Sequence, residues 1–442
     1  MEKERLDGLY LFVLGAVIFV LFGFVFLHKT AYSMDDFRGV YIGVQTLLEH
    51  RDPYNPSELS KVYIAESDQP DLVQNRSSAA LSVYLPPTYL CIAPLALVPY
   101  GAAKVLWSFL TISCLLIGAY LIWQSGADHA PVLVGGLIAF SLASGAAVIG
   151  NANPAGIVVG LCFIAVWCFL NDRFPAIGVL CLAFSLAIKP HNVGLVWLFF
   201  LLAGPIHRKR ALQALVITVL LSMVSIFWVT WISPNWIPEL RSNLSQISVH
   251  GANNDPGPEG LTTKSGTMEE IIDLQATLSI FHDEPLFYNV ITYLICSALL
   301  LLWLNTTVKS GDFPGRPWLA LASIAPLTML VVYHRAYDAR LLILAIPACG
   351  IMFIDGGAVA KIGLLINIAA LIFTGELPLA VLQVLTRNLH PDLGGLFGKI
   401  QTALLIRPAP FLLFMMAAFN TWTYFQYSKR EYETLDTAMH AP

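Results

Sequence analysis

The chain has 442 residues, 57% of them hydrophobic and only 12% charged, with a formal net charge of −4 and a mean hydropathy of +0.68. Soluble domains carry about 25% charged residues, so most of this chain belongs in lipid, and the weak acidity provides no basic surface for nucleic acid. The seven cysteines (Cys91, Cys114, Cys162, Cys168, Cys181, Cys296 and Cys349) lie in or beside apolar runs without metal-ligand spacing. They read as small apolar residues, not as a disulfide framework or a zinc site.

The N-terminal MEKERLDG leads into an apolar run from Leu9 to Leu27. That run is long for a signal-peptide core and no A-x-A site follows, so it predicts a retained first helix over 8–28. Further apolar runs occupy 101–123, 131–149, 154–170, 174–188, 191–203, 211–232, 286–304, 317–333, 339–354, 359–375 and 408–426. The run 86–98 is a candidate half-helix. The pattern predicts one integral, all-α polytopic membrane domain over 1–442 with about 11–13 transmembrane helices.

Lys and Arg in short loops set sidedness. With Lys3 and Arg5 in the cytoplasm, Arg173, the HRKR run 207–210, Lys309, Arg316, Lys361, Lys429 and Arg430 also fall inside. Both termini are then cytoplasmic, and the long loops 29–100, 233–285 and 376–407 lie outside. The same parity gathers five polar features on the outer face. They are Asp35/Asp36, NAN at 151–153, KPH at 189–191, YHRAYDAR at 333–340 and RNLHPDL at 387–393. Ionisable groups at membrane depth cost about 2.5–3.5 kcal/mol each and mark functional sites. A shared outward-facing polar cavity is the expectation.

The segment SMDDFRGVYIGV (33–44) starts with a possible capping box, Ser33-x-x-Asp36. Phe37, Val40, Val44 and Leu47 then form one helical face, predicting an amphipathic helix on the outer membrane surface with Asp36 at its start. A carboxylate there can take a proton from a hydroxyl, and Asp35 would support it or raise its pKa. Lys189 ends an apolar run at Pro190. Its bland reading is a cation at a helix C-terminus; paired with His191, it would make a phosphate clamp. In YHRAYDAR the plain reading is an Arg335–Asp338 pair, which leaves His334 and Arg340 unexplained. Arg suits bidentate phosphate contact. Four prolines in VYLPPTYLCIAPLALVPY (83–100) predict a kinked re-entry lining the cavity. In GNANP (150–154), Asn151 can bond a sugar hydroxyl, whereas Asn153 reads as a helix cap. HGANNDPGPEGLTTKSG (250–266) reads as a mobile external loop. No DxD triplet and no Gly-rich phosphate loop are present.

DDFRGVYIGVQTLLEHRDPY (35–54), YLPPTYLCIAPLALVP (84–99), GNANP (150–154), LAIKPHN (186–192) and YHRAYDARLL (333–342) occur in that order. Together they resemble glycosyltransferase family 87 over about residues 8–354. Asp36 and Asp52 carry the family's acid and acid-Pro-Tyr spacing. Val40 stands where the family has Tyr, with Tyr41 following. The resemblance implies a GT-C-type fold, an external site, and a polyprenyl-phosphate sugar donor, typically mannose. It implies an acceptor lipid or glycan, with no metal and no cofactor. It makes Asp36 the base and gives the leaving phosphate to Lys189, His191, His334, Arg335 and Arg340. Asp35, Tyr84, Asn151, Tyr337 and Asp338 would support them. Mostly outside these motifs, loop 233–285 and the region 376–407 are expected to shape the acceptor cleft. The alternative reading is a carrier or flippase for a lipid-linked anion.

Overall fold

The computed structural model describes residues 2–29, 34–65, 81–261, 270–310, 313, 315–386, 389 and 392–439. Every apolar run of the sequence is helical. The first third contains α1 (Glu2–Lys29), α2 (Asp35–Leu48), α3 (Pro56–Ala65), α4 (Pro86–Ala96), α5 (Tyr100–Gly126), α6 (Pro131–Ala143) and α7 (Ala147–Asn151). The middle contains α8 (Ala155–Leu170), α9 (Pro175–Ile188), α10 (Pro190–Leu202), α11 (Pro205–Ile232), α12 (Trp236–Ser248), α13 (Leu274–Phe281) and α14 (Pro285–Lys309). After α15 (Arg316–Val331) comes a 3-10 helix, Ala336–Ala345. It is followed by α16 (Ile346–Asp355), α17 (Ala358–Phe373), α18 (Glu376–Thr386), α19 (Leu396–Gln401) and α20 (Pro408–Met439). No strand runs through the described residues; a single antiparallel bridge joins Ile271 and Arg335.

Among the described residues, six helices are long and apolar enough to cross a bilayer, or up to eight if each sharply bent pair counts as one span. The difference from about 11–13 lies in α8, α9, α10 and α15, which are apolar but have 16, 14, 13 and 16 residues. At 1.5 Å per residue they reach about 20–24 Å, short of a hydrocarbon core of about 30 Å. They form the centre of the protein, with α5 packed on α8, α9 on α8, and α15 against both α20 and the 3-10 helix. On the periphery α1 lies along α6, and a Cβ on Gly135 would stand 2.4 Å from the Gly8 carbonyl oxygen. Glycine is required there because the two backbones touch, as in small-residue contacts between membrane helices.

Phe37, Val40, Val44 and Leu47 do form one face of α2, but they are fully buried. The face predicted to lie on the membrane packs instead on the protein, chiefly against α4. The helix starts after Met34, whose backbone is left-handed at φ 64°. Ser33, the expected cap, lies outside the described residues, as do four residues of RNLHPDL and residues 262–266 of the external loop.

One arginine serves two helix breaks. The span 131–151 is interrupted at Ser144–Ala146, while α17 and α18 meet at 77°. Arg340, only 3% exposed, donates to the carbonyls of Ser141 and of Thr374, the latter at 3.0 Å. Glu376 accepts from the Ala147 amide at 2.7 Å, and its own amide donates to the Ser144 carbonyl at 2.8 Å. Backbone groups freed at membrane depth must be satisfied internally, and Arg340 and Glu376 do this. Arg340→Met is therefore expected to lower the thermal unfolding midpoint in detergent strongly, by the equivalent of about 3–5 kcal/mol. An unchanged midpoint would show that the two breaks are held by other contacts.

Candidate active site

The ends of four elements converge on one polar cluster. Asn153 occupies the turn between α7 and α8, next to Ala152, whose left-handed backbone has φ 54°. The Asn153 side-chain oxygen accepts from the Ala155 amide at 2.9 Å, the cap expected from GNANP. Its amide nitrogen does what the sequence does not reveal: it donates to the Asp36 carboxylate at 2.9 Å and to the Tyr337 hydroxyl at 3.1 Å. The Lys189 ammonium reaches the Asn153 oxygen at 3.3 Å. One amide side chain thus touches the candidate base and the candidate cation.

Lys189 sits between α9 and α10, where Pro190 ends one helix and begins the next. Its ammonium lies 2.6 Å from Asp338 Oδ1, with the two side chains 15% and 1% exposed, and 5.6 Å from the centre of the Tyr337 ring. Asn192 also donates to Asp338 Oδ1, at 3.0 Å, and the Arg335 backbone amide donates to Oδ2 at 3.0 Å. Asp338 therefore meets Arg335 through the main chain, and the cation it pairs with is Lys189. The Arg335 guanidinium turns outward to loop 250–255, donating to the Tyr333 hydroxyl, the Asn253 carbonyl at 3.2 Å and Asn254 Oδ1 at 3.3 Å.

His191 and His334 stack edge to face with ring centres 5.2 Å apart. Nδ1 of His334 lies 2.8 Å from the Val332 carbonyl, so it carries a proton. Nε2 is buried and has no hydrogen-bond partner among the described residues. Burial holds the His334 imidazole below its usual range against the pull of Asp338, so the resting ring is neutral. Tyr84 lies over the first turn of α2, its hydroxyl 3.5 Å from the Asp36 carbonyl. Burial first, and then the Asp36 charge, push its phenol well above the usual value, keeping it a neutral donor.

The sequence reading placed Asp36, Lys189, His191, His334, Arg335, Tyr84, Tyr337 and Asp338 in one site; the structure brings the side chains of seven together, while Arg335 joins through its backbone amide and its guanidinium faces loop 250–255. Asp35 and Asn151 border the cluster, half-buried, at the start of α2 and the end of α7. Arg340 is the correction: it belongs to the helix breaks, two residues from Asp338 but on other partners. Asn153 and Asn192 were missed as site members; an amide inside a cap motif carries no signal of a second, distant partner.

The segment just before α13 reaches the site through its backbone. Ile272 donates to the His334 carbonyl and Ala336 to the Glu270 carbonyl, each at 3.0 Å, pinning the loop that carries His334 and Arg335. Glu270 is in turn held by Arg407 at 3.1 Å. Among the described residues, the group able to hold a metal is His250, Asp255 and Asp283, with ligand atoms within 4.8 Å of one another. Asp255 already accepts from the amides of Gly251 at 2.6 Å and Gly257 at 2.9 Å, which turns the loop.

A multi-pass α-helical membrane protein with an acid–cation cluster at its helix ends is the class defined by this fold and site. The chain belongs to glycosyltransferase family 87, whose model matches residues 83–331, more than half of the sequence. Asn153, Lys189, His191 and Asn192 fall within the match; Asp36 and the segment 333–340 fall outside it. No curated protein and no solved structure matches the chain.

Two expectations follow from this geometry. Lys189→Met strands Asp338 as a lone buried carboxylate and should destabilise the protein by about 3–5 kcal/mol, whereas removing both charges is near neutral. The unfolding midpoint of Lys189→Met/Asp338→Leu should accordingly exceed that of Lys189→Met; equal midpoints would mean the pair is not the stabilising unit. Asp273, the cap of α13 beside the pinned loop, is pushed by burial from 3.8 up to about 7. The native state then binds one more proton than the unfolded state between those values. Asp273's own contribution to stability should be fully present below about pH 4 and be lost as pH rises through 7. Asp273→Asn should flatten that dependence in midpoints measured across this range, and an unchanged slope would assign it to another group.

Proposed function

We propose that this glycosyltransferase works by inversion, moving a sugar that we assign as mannose from a polyprenyl-phosphate donor. The acceptor is a glycolipid or glycan on the non-cytoplasmic face of a bacterial plasma membrane. The observation that carries the proposal is the Asn153 side chain, which bonds to the Asp36 carboxylate and the Lys189 ammonium together.

In the proposed reaction an acceptor hydroxyl gives its proton to the Asp36 carboxylate while its oxygen attacks the anomeric carbon. The carbon–oxygen bond to phosphate breaks, its electron pair leaves with the polyprenyl phosphate, and the configuration inverts. Lys189, His191, His334 and Arg335 offset the charge of the leaving phosphate, so cations take the place of a general acid. Tyr84, Tyr337 and Asp338 hold these groups, and Asp35 and Asn151 edge the cleft. Asn153 fixes the direction of the Asp36 carboxylate.

The test is transfer of radiolabel from polyprenyl-phosphate mannose by purified protein, with a membrane extract supplying acceptors. Wild type should give a labelled product. Asp36→Asn should lose transfer by about 10²-fold or more while still binding the labelled donor. Asn153→Ala should lower kcat far more than it changes KM, because it misdirects the base without removing a donor contact. Equal transfer by wild type and Asp36→Asn would remove Asp36 from the role of base. Passage of labelled lipid across vesicles without transfer would favour the carrier reading.

A further inference from the structure

The end of the fold opposite the site contains a cavity of about 360 Å³. Leu170, Phe199, Ala203 and Phe313 form its apolar wall, and His207 and Arg316 line its polar side. These residues lie at the end of α8, the end of α10, the start of α11 and the start of α15. The other ends of α8, α10 and α15 carry Asn153, His191 and the approach to Tyr333. Cavity and site are therefore the two ends of one set of short helices, separated by about 20–24 Å.

Charge at this end is one-sided. The connections 171–174, 203–210 and 309–316 contain Arg173, Arg208, Lys209, Arg210, Lys309 and Arg316 against Asp172 and Asp312. Arg210 is engaged with Asp172 and the Phe169 carbonyl. Arg316 is 8% exposed and donates to the Thr307 carbonyl at 2.9 Å, which fixes its guanidinium at the cavity wall. Arg208 and Lys209, which follow His207 in the chain, are exposed, and Arg208 donates to the Leu201 carbonyl at 3.1 Å. An apolar slot with a cationic rim complements an amphiphile that is anionic at one end. A free inorganic anion would leave the apolar wall unused, and a neutral lipid would leave the cations unused.

We propose that this cavity binds an anionic phospholipid, its phosphate at the His207–Arg316 side and its first methylenes against Phe199 and Phe313. Basic pockets between helix ends are the membrane setting in which such headgroups are held. Because the short helices leave at least one of their ends inside the hydrocarbon boundary, a bound lipid here also fills the step between the protein and the leaflet. The proposal concerns the face away from the site and stands apart from the reaction proposed above.

The test is native mass spectrometry of the full chain after exposure to equal amounts of dioleoyl phosphatidylglycerol and dioleoyl phosphatidylcholine. Wild type should retain the glycerol lipid by about fivefold or more, the scale of one basic residue near an anionic lipid. Arg208→Gln/Lys209→Gln, which alters only exposed side chains, should reduce that preference. Ala203→Trp, which fills the slot, should abolish retention, and millimolar inorganic phosphate should not displace the lipid. Equal retention of both lipids would overturn the proposal. So would wild-type preference in both variants, or displacement by inorganic phosphate, which would make the cavity a free-anion site.

Discussion

The Lys189–Asp338 ion pair is the contact on which the site is built. Its carboxylate side chain is 1% exposed, and a charge so placed persists only with a partner and further hydrogen bonds. Asn192 and the Arg335 amide supply those bonds. The pair thereby locks the α9–α10 junction to the start of the 3-10 helix across 149 residues of sequence. Asn153 rests on Lys189, and Asp36 rests on Asn153 across another 117 residues. The candidate base is thus positioned by a chain of contacts whose anchor is a cation.

Two of the five left-handed non-glycine residues among those described flank the same place. Met34 and Ala152 are both left-handed without being glycine, a conformation that costs on the order of 1–3 kcal/mol per residue unless the surroundings impose it. Here they do: the Met34 amide donates to the Gly150 carbonyl at 2.7 Å, and Trp107 donates to the Ala152 carbonyl at 3.0 Å. These two residues bring the chain into α2 and out of α7 at the angles that let Asp36 meet Asn153. Arg340 works beyond this group, at the helix breaks, where it keeps the surrounding scaffold closed. Lys189, inside the cluster, and Arg340, at the helix breaks, therefore hold different parts of the structure.

What could be read from the sequence was what periodicity and charge encode. Apolar runs located every long helix, and Pro190 marked the α9–α10 junction. The positive-inside pattern sorted Asp36, Lys189 and the 333–340 segment onto one face before any contact was known. The destination of α2 was not legible, because Phe37, Val40, Val44 and Leu47 form the same apolar stripe whether they meet lipid or protein. Arg340 was misread because an intramembrane arginine signals a need for partners without naming them; backbone carbonyls at a helix break satisfy it as well as a phosphate would. Asn153 was legible as a cap and opaque as a bridge, since its second set of bonds reaches elements far away in sequence.

The charge of the cluster bears on what it can accept. Lys189 is matched by Asp338, and His334 rests neutral, with the proton on Nδ1 committed to the Val332 carbonyl and Nε2 unoccupied. A phosphate entering beside them adds negative charge in a place where little solvent can dissipate it. Nearby negative charge raises an imidazole pKa, so on the proposed reaction the cheapest balance is a proton taken up at His334 Nε2, where no protein bond has to break. His191, with its ring centre 5.2 Å away, borders the same space. On that reaction His334 adds positive charge to what Lys189, already paired with Asp338, offers the phosphate.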